Sequence, residues 1–219
     1  MLKRKTAIGV IAALVVVALC LFIDFKEYTH GTKTMPLNDS GIVFSITTFN
    51  GKTETEPFIK CLGHTWLSIE NKTGHPIYLK DYEIENLETL TFSIWAISEH
   101  KGIFYNLEGN FINKYNRYLG RKSLSTNIDE SKLEIIEEYL ENNDKWTLGK
   151  NCSHWSIDLW NTVVDEKYHL KTQTLVYTPK RLEKSFDEFD CVEKDKEFLN
   201  NKGIFFYKDG VRTELELCS

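Results

Sequence analysis

The chain has 219 residues, 42% hydrophobic and 27% charged, a balance that excludes a disordered polymer and suits one ordinary domain. The net charge is −5; the first 25 residues hold Lys3, Arg4 and Lys5 against Asp24, which is +2, so the remainder carries −7. No basic cluster follows Lys5, which excludes nucleic acid as a partner, because phosphate neutralisation needs grouped Lys and Arg.

Thr6 to Ile23 runs eighteen residues without a charge. At about 1.5 Å per residue it approaches the ~30 Å hydrocarbon core, and the basic residues before it keep that end in the cytoplasm. The run predicts a single-pass transmembrane anchor over 1–25, a linker over 26–40 and an extracytoplasmic domain over 41–219, facing the cell envelope. A cleaved signal peptide is the alternative; Leu19 before Cys20 argues against lipoprotein processing.

From Ile42 the pattern turns to strand. IVFSITTF (42–49) is rich in β-branched and aromatic residues, and CLGHTWLSIEN (61–71) alternates. That alternation puts His64, Trp66, Ser68 and Glu70 on one face and Thr65, Leu67 and Ile69 on the other. Segments 76–84, 89–97 and 102–109 read as further strands, and the short connections make the sheet antiparallel. Helices are expected over 129–142, capped by Asn127, over 151–164, where Trp155, Leu159 and Val163 share a stripe, and from Pro179 to about Phe186. Asp209-Gly210 predicts a hairpin turn within 203–215. Strands followed by packed helices give the α+β class.

The chemistry-bearing candidates are few. Cys152 follows Asn151 at the start of a helix, where orphan N–H groups and the helix dipole favour a thiolate and can stabilise an oxyanion. His64 is the best candidate base, on a strand expected to pack near that helix with its Trp66 face toward the groove or the helix contact. The plain structural reading of each residue alone is a buried thiol and a hydrogen-bonded strand histidine. His154 reads as a surface or packing residue. Trp155 and Trp160, which could suggest a sugar platform, fit a helical core stripe better. No C-x-x-C or H-E-x-x-H occurs, so no cofactor or metal is expected, although Cys61, His64 and Cys152 could assemble a zinc site. Cys191 and Cys218 are a possible disulfide.

Asn151-Cys152-Ser153-His154-Trp155 resembles the Asn-Cys-Glu-His-Phe motif of the lecithin:retinol acyltransferase family, and the cysteine-helix motif of other circularly permuted NlpC-type, papain-like domains. In those families the histidine strand precedes the cysteine helix, as Gly63-His64-Thr65-Trp66-Leu67-Ser68-Ile69 precedes Cys152 here. The resemblance covers roughly residues 41–165; Ser153 in place of Glu is the departure. It implies a permuted papain-like fold with Cys152 as nucleophile, His64 as base and a third polar group on a later strand. Glu108 is preferred for that group, with Asn106, Asp81 and His100 open. The implied activity is a cysteine hydrolase or acyltransferase working through a thioester on amide, peptide, peptidoglycan or lipid acyl substrates. The other reading is a non-catalytic binding or immunity-type protein that retains the fold.

Overall fold

A computed structural model describes residues 31–36, 38–51, 63–97, 100–147, 149–171, 177–200 and 202–216. Among the described residues ten strands are formed: β1 (Ile42–Phe49), β2 (His64–Asn71), β3 (Ile77–Leu79), β4 (Tyr82–Ile84), β5 (Thr89–Ile94), β6 (Ile103–Tyr105), β7 (Lys122–Ile128), β8 (Glu193–Lys194), β9 (Ile204–Lys208) and β10 (Val211–Leu215). Among the described residues there are four α-helices: α1 (Leu107–Tyr115), α2 (Ser131–Asn142), α3 (Cys152–Val163) and α4 (Pro179–Ser185).

Eight strands make one antiparallel sheet in the order β10-β9-β6-β5-β2-β1-β7-β8, and β3 pairs with β4 in a separate hairpin. The α+β class and the antiparallel sheet therefore stand. The segment expected to be one strand at 76–84 is instead this small hairpin, because Lys80 adopts φ 55° and reverses the chain. Residues 102–109 are a strand only as far as Tyr105; Asn106 turns left-handed at φ 60° and α1 begins. The second helix starts at Ser131, with Asn127 inside β7 rather than capping it.

Two layers cover the sheet. On one face Phe44, Ile46, Leu67, Ile69, Leu90 and Phe92 form the main core with the helix α3 residues Trp155, Leu159 and Trp160. Burying each such side chain contributes about 1.5–3 kcal/mol, and Phe44 stacks on Trp160 at 5.5 Å. On the other face Phe49, Trp66, Tyr118 and Phe198 pack together, beside a cluster of Phe104, Leu107, Ile204 and Phe206. The helix α3 contact is thus made by the Leu67 and Ile69 face of β2, and the expectation that the Trp66 face would meet it is corrected. Both faces of the sheet are covered, so strand alternation alone could not say which face took the helix.

The anchor expected at 6–23 lies outside the described residues. Among those described, no helix is long and apolar enough to cross a membrane: α2 and α3 have 12 residues each, about 18 Å of rise against ~30 Å of hydrocarbon. The expected transmembrane helix is thus corrected for the described residues, none of which forms one, and the single-pass extracytoplasmic placement draws no support from them. The later part of the expected linker is packed: Lys33 bridges to Phe189 and Met35 is buried in the core.

At the mouth of β2, Gly63 has φ 58°, and an added Cβ would stand 2.5 Å from the Phe49 carbonyl oxygen. Both the left-handed backbone and the contact demand glycine. Gly63→Ala is expected to cost about 2 kcal/mol or more, read as a lower urea midpoint; an unchanged midpoint would show that the turn tolerates a side chain.

Candidate active site

Three elements meet at the first residue of β2. Helix α3 brings Cys152 in its first turn. Asn151 caps it: the Asn151 Oδ1 accepts the His154 N–H at 3.0 Å and its Nδ2 donates to the Tyr177 carbonyl at 2.9 Å. The helix has no internal acceptor for the N–H groups of Cys152 and Ser153, which stay available at the sulfur's end. Ser153 anchors the turn to the sheet through a 2.9 Å hydrogen bond between its Oγ and Thr65 Oγ1. The Thr65 backbone N–H lies near the sulfur and favours its ionised form. Cys152 comes from the helix on one side of the sheet, and His64 meets it from the other at the strand's end.

Cys152 lies beside the His64 ring, close enough for each to shift the other's charge. Nε2 of that ring is taken by Glu108 Oε1 at 2.8 Å, with Ser93 Oγ at 3.1 Å, so Nδ1 is the nitrogen left for the sulfur. His64 is 5% exposed and Glu108 fully buried, whereas Cys152 is only partly buried. The order is therefore a partly buried cysteine, a buried ring and a deeper carboxylate. Glu108 Oε1 also accepts the Ser93 hydroxyl and, at 2.7 Å, the Trp95 indole N–H. Trp95 lies against the His64 ring, with centroids 4.2 Å apart, and Trp66 stacks at 5.8 Å.

These contacts set the charges. Burial opposes the His64 imidazolium, but the Cys152 thiolate and then the Glu108 carboxylate outweigh it and raise its pKa to about 9. Burial likewise opposes the Cys152 thiolate, yet the His64 charge and hydrogen bond, helped by the Thr65 N–H and the Ser153 side chain, hold the thiol below its ordinary value. For Glu108, burial is outweighed by His64, Ser93 and Trp95, and the carboxyl is held below its usual range. Its place in the first turn of α1 adds the favourable end of a helix dipole.

The other candidates are elsewhere. Asn106 is consumed by structure: its Nδ2 donates to Tyr82 Oη at 3.0 Å and to the Gly203 carbonyl, and its Oδ1 accepts from Asn200. Asp81 accepts from Tyr207 on the β3–β4 turn. His100 stacks on Phe206 and faces Asp144 at 3.5 Å. His154 pairs with Asp158 at 3.3 Å and lies against Tyr177. Cys61 and Cys218 lie outside the described residues, so the zinc set and the Cys191 pairing rest on residues the structure does not describe. Glu108 was expected to reach His64 along a strand; it does so from the first turn of a helix. Ser93 and Trp95 were not anticipated in the site, although TFSIW places them two apart on one strand face.

Cys191 is exposed and provides an internal comparison. At pH 6, iodoacetamide is expected to alkylate Cys152 at least about tenfold faster than Cys191, read by peptide mass spectrometry. Equal rates, or a faster Cys191, would contradict the charge assignment. Searches of protein-family models, of curated proteins and of solved structures give no match to this chain.

Proposed function

We propose that this protein is a cysteine acyl-transfer enzyme of circularly permuted papain-like type, cleaving amide or ester bonds through a thioester on Cys152. The observation that carries the reading is the buried hydrogen bond between His64 Nε2 and Glu108, with the partly buried Cys152 beside the same ring. Removing such charges from water costs several kcal/mol per ion. A binding protein has no use for that cost, whereas an acyl-transfer site needs a thiolate beside an imidazolium at neutral pH.

The steps follow from the geometry. The Cys152 thiolate attacks the substrate carbonyl carbon, and the carbonyl oxygen gains the negative charge. The Cys152 N–H at the start of α3 can donate to that oxygen. As the tetrahedral species collapses, His64 gives its Nδ1 proton to the departing amine or alcohol, and a thioester remains on the sulfur. Neutral His64 then takes a proton from water or another acceptor, which attacks the thioester, expels the thiolate and restores the ion pair. Glu108 keeps the ring oriented and stabilises its charge throughout. Amide and peptide carbonyls are the first substrate class and lipid acyl esters the second.

The test needs no knowledge of the natural substrate. Incubated with p-nitrophenyl acetate, the full chain is expected to acquire one acetyl group on Cys152, removable by hydroxylamine. Cys152→Ala is expected to lose at least about a thousandfold in turnover; undiminished turnover in that variant would refute the proposal. Glu108→Gln is expected to lose less, about 10- to 100-fold, because an amide oxygen still accepts from Nε2. A rate unaltered in Glu108→Ala would remove Glu108 from the mechanism.

The pH profile follows from the same charges. The imidazolium is the proton donor, so the acylation rate is expected to fall as pH rises through about 9, where His64 loses its proton. The acid limb is expected below the ordinary thiol value, where the thiolate is protonated. A rate that only begins to rise at the ordinary thiol pKa would contradict the ion pair.

A further inference from the structure

We infer that Ser93 and Trp95 are positioning residues that keep Glu108 ionised and thereby hold His64 as the proton donor; this rests on the catalytic reading of Cys152, His64 and Glu108. Their place in the fold supplies the first argument. β5 neighbours β2, and alternation along it sends Leu90, Phe92 and Ile94 into the main core while Ser93 shares the opposite face with His64. Trp95 follows two residues later. Neither side chain is needed by the main core on the other face.

The direction of the hydrogen bonds is the second argument. Glu108 Oε1 receives the His64 Nε2–H, the Ser93 hydroxyl and the Trp95 indole N–H. An indole nitrogen donates and never accepts. The other oxygen, Oε2, is buried and has no hydrogen-bond partner among the described residues. A neutral Glu108 would carry its proton there, with no acceptor to receive it, and would weaken three bonds at Oε1 that are stronger to a charge. The donor set therefore favours the carboxylate, and the carboxylate favours the imidazolium.

Ser93 has a second part. Its Oγ lies 3.1 Å from Nε2, so with its own proton on Glu108 it offers a lone pair to the same Nε2–H and fixes the plane of the ring. The Trp95 ring covers the imidazole at 4.2 Å and limits water at the pair. The titratable groups facing His64 are Cys152 from α3, Glu108 from α1 and Tyr118, whose ring centroid is 6.1 Å away, from the turn after α1; β1 presents Phe49 opposite it.

The test follows the His64 ring by NMR across pH in the full chain and, separately, times iodoacetamide alkylation of Cys152 at pH 6. Ser93→Ala removes only a hydroxyl, and Trp95→Phe keeps an aromatic ring while losing the N–H. Each is expected to lower the His64 titration by roughly one pH unit and to slow alkylation about tenfold. A residue that only fills space would leave both readings unmoved. Wild-type titration and reactivity in both variants would overturn the inference while leaving the catalytic reading intact. An ordinary His64 titration together with slow Cys152 alkylation in the unmodified protein would overturn the catalytic reading, and this inference with it.

Discussion

The hydrogen bond between His64 Nε2 and Glu108 Oε1, 2.8 Å long and closed off from water, is the constraint on which the rest of the site depends. A buried carboxylate without a cation would be driven neutral, and a buried imidazole without an anion would stay uncharged. Each is charged because the other is. The partly exposed thiol of Cys152 joins them as the third member, gaining its negative charge from a positive ring that the carboxylate holds in place. Removing any one member changes the charge preferred by the other two, so the three titrate as a unit.

The scaffold brings these groups together from distant parts of the chain. His64 opens β2, where Gly63 turns the backbone and Phe49 pairs opposite it. Glu108 arrives from α1 on one face of the sheet and Cys152 from α3 on the other. The position of α3 is set by Trp155, Leu159 and Trp160 in the core, by the Asn151 cap, and by the Ser153–Thr65 hydrogen bond. Cys152 is thereby held by the packing and capping of its helix, the preorganisation that the proposed acyl transfer would use.

Much of this was legible because the local signals were strong. The Trp155-Leu159-Val163 stripe and Asn151 marked α3, Pro179 marked α4, and Asp209-Gly210 marked the hairpin that joins β9 to β10. The pairing of Cys152 with His64 was suggested by the resemblance of Asn151–Trp155 and Gly63–Ile69 to permuted papain-like motifs, since each residue alone reads as a buried thiol or a hydrogen-bonded strand histidine. Helix α1 was hidden because GIFYNLEG continues a strand pattern and only the left-handed turn at Asn106 interrupts it. β7 was hidden for a different reason: KSLSTNI is polar, and its Ser125 and Ser123 are paired with Ser45 and Thr47 of β1 by hydroxyl bonds that hydrophobic periodicity does not register. The roles of Ser93 and Trp95 depend on the approach of α1 to β5, a contact between elements that no local pattern encodes.

Beside His64, Cys152 gives up its proton below the ordinary thiol value. Ultraviolet difference absorbance between the unmodified protein and Cys152→Ala measures that thiolate directly, since the other cysteines cancel. A thiolate signal already present at pH 7, lost only on acidification, is expected. A signal that is absent at pH 7 and grows in as pH rises through about 8.5, the range of an ordinary thiol, would contradict it.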